Sequence, residues 1–203
     1  MPKAGYLKVS HHILLYTLVL TAIGLSFSGC QNSSQYTTPR QPDSAAYGPA
    51  HFGMLKSDFF KAVGDTLTTI DNSLFELKPH FSSRGELYEL IIQSQDEKYS
   101  DYKTTLDTDL KTLIDKMISL YGNPTRYFTL PEPDDFSFFS RARCIWRFPK
   151  KNIDISVIQL GSMDGSPYHN NLRFRAICQI TNIPMQRVEE EEQLNYFLKN
   201  RKK

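Results

Sequence analysis

Apolar positions recur along the chain with two different periods, and the switches between them mark out the elements. Leu106, Leu110, Leu113, Ile114, Met117, Ile118 and Tyr121 fall at helical spacing on one face, while Lys111, Asp115, Lys116 and Ser119 occupy the other. Gly122-Asn123-Pro124 stops that helix. A shorter helix is predicted over Asp58–Val63, with Ser57 as N-cap and Gly64 in the position after the last turn. Elsewhere the period is two. The turn signal Ser82-Ser83-Arg84-Gly85 separates two alternating runs. A four-residue loop centred there pairs Pro79 with Tyr88, Leu77 with Leu90 and Phe75 with Ile92, all on one face. Three further strands are predicted at Arg143–Phe148, Ile153–Leu160 and Leu172–Thr181, joined by the turn Pro149-Lys150-Lys151-Asn152 and by Gly161–Asn170. Cys144, Trp146 and Phe148 share a face of the first, Ile153, Ile155 and Val157 a face of the second. Phe174, Ala176, Cys178 and Ile180 line the third. Ile158 and Leu160 reverse their strand's alternation, which predicts a bulge or burial on both sides.

These elements predict an α+β domain of two layers, an antiparallel sheet with helices packed on one face. Helix, glycine and hairpin are followed by helix, glycine and sheet, which suggests two tandem α-β-β units within residues 51–181, divided as 51–98 and 99–181. Residues 182–203 are expected to form a charged terminal helix. Glu189–Glu192 come early and Lys199, Arg201, Lys202 and Lys203 late, an order that complements the helix dipole. Its basic end suits either open solvent or anionic headgroups. A simple meander of the last three strands sets Cys144 and Cys178 two strands apart, ~9.6 Å from strand spacing alone. Disulfides tolerate Cα separations of only about 7 Å, so both cysteines are expected to be reduced core residues.

The first thirty residues read differently. Lys3 and Lys8 precede an uncharged, largely apolar run, Ile13–Phe27, which is shorter than the ~20 residues that span a bilayer. It ends in Phe27-Ser28-Gly29-Cys30, which resembles the lipobox of bacterial lipoproteins, with Phe27 where that family usually has leucine. The resemblance implies removal of residues 1–29, acylation of Cys30, and membrane attachment through that anchor. Gln31 resembles the sorting signal that sends such lipoproteins of the bacterial cell envelope to the outer membrane. Gln31–Ala50 contains no Leu, Ile, Val, Phe or Met and three prolines, so residues 30–50 are expected to be the lipidated cysteine and a disordered tether.

A weaker likeness covers the folded part. Gly53-Met54 with Ser57 and Val63-Gly64 resembles the opening of small envelope lipoprotein domains of the SmpA/OmlA type. Leu120-Tyr121-Gly122-Asn123-Pro124 resembles their helix-ending Gly-x-Pro. Two such units in tandem are similar to the β-lactamase-inhibitor-protein architecture. This likeness implies a fold and no activity.

Charge removes one class of function. The chain has 24 Lys and Arg against 22 Asp and Glu. Lys3 and Lys8 lie in the segment expected to be removed, which holds no acid. That leaves 22 basic against 22 acidic residues and no bulk attraction to nucleic acid.

Candidate chemistry is sparse. His51, His80 and His169 form no His-x-His or His-Glu-x-x-His pattern, and Gly161-Ser162-Met163-Asp164-Gly165 has its serine in the wrong place for a nucleophile elbow. Glu132, Asp134 and Asp135 lack the spacing of a calcium loop. No catalytic residue, metal ligand or cofactor is predicted. Candidate partner-binding residues are Phe136, Phe138 and Phe139, in a proline-rich, acidic loop from Tyr127 to Arg141, and Arg147, Arg173 and Arg175 on the sheet face away from the core. The register puts Arg147 directly opposite Asp154. The expectation is an envelope lipoprotein that binds a protein partner, as an accessory factor or an inhibitor. Alternatives are lipid or glycan binding in a cavity between helices and sheet, and a hydrolase with dispersed carboxylates.

Overall fold

The computed structural model describes residues 41–128, 141–160 and 172–201. The period-two segments pair into one antiparallel sheet, and the helical segments pack against it. In chain order the elements are β1 (Ala45–Tyr47), β2 (Ala50–His51), α1 (Lys56–Val63), β3 (Leu67–Ile70), β4 (Ser73–Phe81), β5 (Leu87–Gln93), β6 (Glu97–Lys98), α2 (Asp107–Tyr121), β7 (Arg126–Tyr127), β8 (Arg141–Arg147), β9 (Lys151–Leu160), β10 (Arg173–Asn182) and α3 (Ile183–Asn200). β1 and β2 form their own small hairpin. The other eight strands make one sheet of order β3-β4-β5-β10-β9-β8-β7, with β6 also on β10.

The α+β class expected from the sequence is what the chain adopts. Residues 51–98 and 99–181 belong to one compact unit. Each half is a helix followed by a meander, but β5 and β10, the last strands of the two meanders, pair with each other at the centre of the sheet (Ile91 opposite Gln179). The first meander also has three strands rather than two, because Leu67-Thr68-Thr69-Ile70 pairs with β4.

The β4–β5 register lies two residues from the predicted one, with Leu77 opposite Ile92 and Pro79 opposite Leu90. Ser82 N–H donates to Glu86 O (2.9 Å), which closes a tighter loop, and a bulge at Tyr88 adds the second step. Two one-residue shifts restore the original faces, so Leu90 and Ile92 remain in the core, while Leu87 takes the inward place expected for Tyr88. The same turn decides where α1 begins. Lys56 N–H donates to Gly85 O (3.0 Å), and Leu55 rather than Ser57 occupies the cap position, without a side-chain cap bond. Gly64 ends the helix at φ 74°, a conformation only glycine adopts freely.

The inner face of the sheet carries Phe75, Leu77, Leu90, Ile92, Ile153, Ile155, Val157, Phe174, Ala176 and Ile180. The buried stripe of α2, Leu110, Leu113, Ile114, Met117 and Tyr121, belongs to the same core. Met117→Ala is expected to cost about 2–5 kcal/mol of stability. Lys111→Ala, on the exposed side of α2, should stay within about 0.5 kcal/mol. Urea midpoints would separate them.

Cys144 and Cys178 lie on either side of Ile155 in one row across β8, β9 and β10, two strands apart as the meander sets them. Both are buried and free. Burial pushes the Cys144 thiol up to about 11 and raises that of Cys178 as well. Ile158 and Leu160 stay in register with β10 and lie half-buried on the outer face, so burial on both sides, rather than a bulge, explains their reversed alternation.

The largest correction concerns residues 41–50, expected as the end of a tether. They fold. Ala46 and Ala50 are buried, and Tyr121 Oη donates to Ala46 O (3.0 Å). Lys151, expected in a turn, is the first residue of β9 and completely buried. Its Nζ donates to Pro42 O (3.0 Å) and Ala45 O (3.1 Å) and sits over the rings of Tyr121 (4.5 Å) and Phe148 (5.8 Å). Burial lowers its pKa to about 8, against the upward pull of Asp43. The composition argument fails here because small side chains and hydrogen bonds to a buried cation hold the segment, not large apolar residues.

α3 follows β10 directly. Asn182 Oδ1 accepts from Met185 N–H (3.1 Å), capping a first turn that contains Pro184.

Candidate functional site

Side chains alternate across a strand, so the residues between the core positions form a second sheet face. Over β4, β5, β10, β9 and β8 this face is polar and networked, with half-buried Ile91, Ile145, Ile158 and Ile177 set among the charges. Its most buried charged group is Glu89, only 5% exposed. One carboxylate oxygen lies 2.6 Å from His80 Nδ1; the other accepts from Thr181 Oγ1 (2.9 Å) and from Gln179 Nε2. A carboxylate oxygen only accepts, so in this contact Nδ1 carries a proton and donates. A second chain of contacts runs beside it. Gln93 Nε2 donates to Glu76 (2.7 Å), Arg175 Nη1 donates to Gln93 Oε1 (2.9 Å), and Arg175 Nε donates to Asp96 (2.7 Å).

The arginines expected to bind a partner are all on or beside this face, but not together. Arg175 and Arg173 are on β10, and Arg147 is on β8, with β9 between. Arg147 stands opposite Asn152, not Asp154, and reaches Asp154 diagonally at 2.8 Å. The two-residue shift from the predicted pairing arises at the turn, where Phe148 N–H donates to Lys151 O (2.9 Å) and only Pro149 and Lys150 form the loop; a bulge at Arg143 lies farther along β8. Arg143 turns to the edge strand, its guanidinium stacked on the Tyr127 ring (5.3 Å) and donating to Tyr127 Oη (3.2 Å). The Arg173 charge is felt at Glu97, whose carboxyl is raised first by burial and then by Asp109, with Arg173 opposing. Phe136, Phe138 and Phe139, like Cys30, lie outside the described residues. At the ends of the predicted loop, Tyr127 belongs to β7 and Arg141 to β8.

Two cavities among the described residues bear on the site. One, of about 250 Å³, lies between the β4–β5 turn and α3, where Ser83 N–H donates to Glu189 (2.8 Å) and Arg84 to Glu192 (3.0 Å). The other, of about 330 Å³, lies among the β1–β2 hairpin, β3 and α2. Among the described residues no group of three or more His, Cys, Asp or Glu is placed to hold a metal ion. Nor is any helix among them long and apolar enough to cross a membrane.

The chain matches no protein-family model, and comparison with curated proteins and with solved structures returned no match.

Proposed function

We propose that this is a lipid-anchored protein of the bacterial envelope that binds another protein across the outer face of its sheet. The observation that carries the reading is the internal pairing of that face. Arg147 is held by Asp154 and Arg175 by Asp96, so the face offers alternating charge around partly exposed isoleucines rather than a uniform basic field. Mixed polarity around apolar points suits a protein partner better than a polyanion. The cavities of about 250 and 330 Å³ lie below and at the bottom of the roughly 300–1,000 Å³ range of ligand pockets, so the outer face is the stronger candidate for recognition. The anchor is the acylated Cys30.

The test is photo-crosslinking in cells, with the reactive side chain at Ile177 on the outer face or at Lys111 on α2, in the Cys30 protein and in Cys30→Ser. A discrete protein adduct from position 177 alone, together with loss of membrane fractionation in Cys30→Ser, is the expected result. Equal adducts from both positions would overturn the proposed face; unchanged fractionation would overturn the anchor.

A further inference from the structure

α3 is docked along only part of its length. Met185 packs against the core, Glu189 is buried, and Glu192 clamps the β4–β5 turn. From Gln193 to Arg201 every residue is exposed. On that free part Leu194 (57% exposed), Phe197 (57%) and Leu198 (48%) fall at i, i+3 and i+4, so they form one apolar stripe. At helical angles the stripe points away from the side carrying Met185, Glu189 and Glu192. Arg201 continues it and stacks on Phe197 at 5.5 Å. Residues 193–203 contain Lys199, Arg201, Lys202 and Lys203 and no acid.

We infer that this free end of α3 lies on the surface of an anionic phospholipid bilayer, as a second contact beside the lipid anchor. A helix with exposed leucine and phenylalanine and clustered Lys and Arg binds such an interface through apolar insertion and attraction to anionic headgroups. The charge selects the occupant: a run of basic residues without acids matches a negatively charged surface.

Placement agrees. Asn182, which caps α3, pairs with Lys151, and Lys151 holds Pro42. The root of α3 and the point where the chain arrives from Cys30 therefore share one end of the sheet. The eleven residues from Cys30 to Gln41 span at most ~40 Å when fully extended, and the 18-residue α3 is ~27 Å long. An anchored bilayer is within covalent reach of the helix end. The inference rests on acylation of Cys30, and the experiment keeps the two apart.

Full-length acylated protein carrying Phe197→Trp is reconstituted into vesicles of phosphatidylethanolamine with phosphatidylglycerol, or of phosphatidylcholine alone. The chain's one natural tryptophan, Trp146, is buried and serves as the control for folding. In anionic vesicles the new tryptophan should shift its emission to the blue and be quenched by lipids brominated on the acyl chains. Adding Lys199→Glu and Arg201→Glu should weaken this contact by roughly fivefold or more per charge, while the protein stays vesicle-bound through Cys30. Equal emission and quenching in both lipids, or quenching indifferent to the charge reversals, would overturn the inference. So would a blue shift accompanied by cross-linking between copies and no bromine quenching, which would identify the stripe as a contact with a second copy. A protein that leaves the vesicles altogether would indict the anchor instead.

Discussion

Lys151→Ala is expected to destabilise the protein by about 3–5 kcal/mol, with the 41–52 segment released first. The substitution removes a fully buried side chain that fills the space over Tyr121 and Phe148, and it strips the donor from two carbonyls, Pro42 O and Ala45 O. Each orphaned buried acceptor costs roughly 1–3 kcal/mol, and the lost packing adds to it. Urea unfolding gives the total, and hydrogen exchange at Phe52, whose N–H donates to Ser44 O, reports the segment. Unchanged exchange there would contradict the role assigned to Lys151. The charge itself has a separate signature. The amine's pKa is about 8 in the fold against an ordinary 10.5. Below pH 8 it is protonated folded and unfolded, and the penalty of burying the charge is fully present. Between 8 and 10.5 the unfolded chain binds the extra proton, so this group makes stability rise with pH across that window, by about 3 kcal/mol in all. A neutral amine still has two N–H groups for the two carbonyls. Lys151→Met keeps the stem and cannot titrate. The stability difference between wild type and Lys151→Met should therefore grow in favour of wild type from pH 7 to pH 10, with the cysteines and tyrosines cancelling because both proteins carry them. A flat difference would contradict it.

Trp146→Ala should cost a similar ~3–5 kcal/mol. Trp146 is 1% exposed on the inner face of β8, and its Nε1 donates to Gly122 O (2.8 Å), the carbonyl at the end of α2. The side chain thus packs the core and ties the helix terminus to the sheet. Trp146→Phe separates these contributions. It retains most of the packing but leaves the carbonyl unpaired, at roughly 1–3 kcal/mol. Near-equal midpoints for wild type and Trp146→Phe would show that water satisfies Gly122 O.

The strong periods in the sequence translated directly into structure. α2 buries its stripe from Leu110 to Tyr121, with Leu106 buried just before it, and β9 and β10 bury the alternating residues expected of them. Faces survive a two-residue slip, so the β4–β5 register could be wrong while Phe75, Leu77, Leu90 and Ile92 all stayed in the core. The cost of that slip was the site. In the predicted pairing His80 met Leu87, which concealed the contact between His80 and Glu89 that the structure places 2.6 Å apart. Exposing it required both the tighter loop and the bulge at Tyr88, and no residue type there demands either. Lys151 was illegible for a related reason: two adjacent lysines in a turn-like tetrapeptide look alike, and only the arrival of residues 42–45 distinguishes the buried one. β3 was missed because its four residues alternate too briefly to register.

The placement of β10 also bears on when the protein can fold. Residues 173–182 follow every other strand of the sheet in chain order, yet they form the strand between β5 and β9. Until they emerge, both neighbours lack a partner along an entire edge, and the core has no Phe174, Ala176, Cys178 or Ile180. On the proposed route to the envelope, the chain would cross a membrane before it becomes compact. Holding back the central strand keeps the sheet open until all its other strands have been made, and the long sequence separation of the β5–β10 pairing slows its closure further. Moving β10 to the front of the chain by circular permutation would be expected to hasten folding and to hinder translocation.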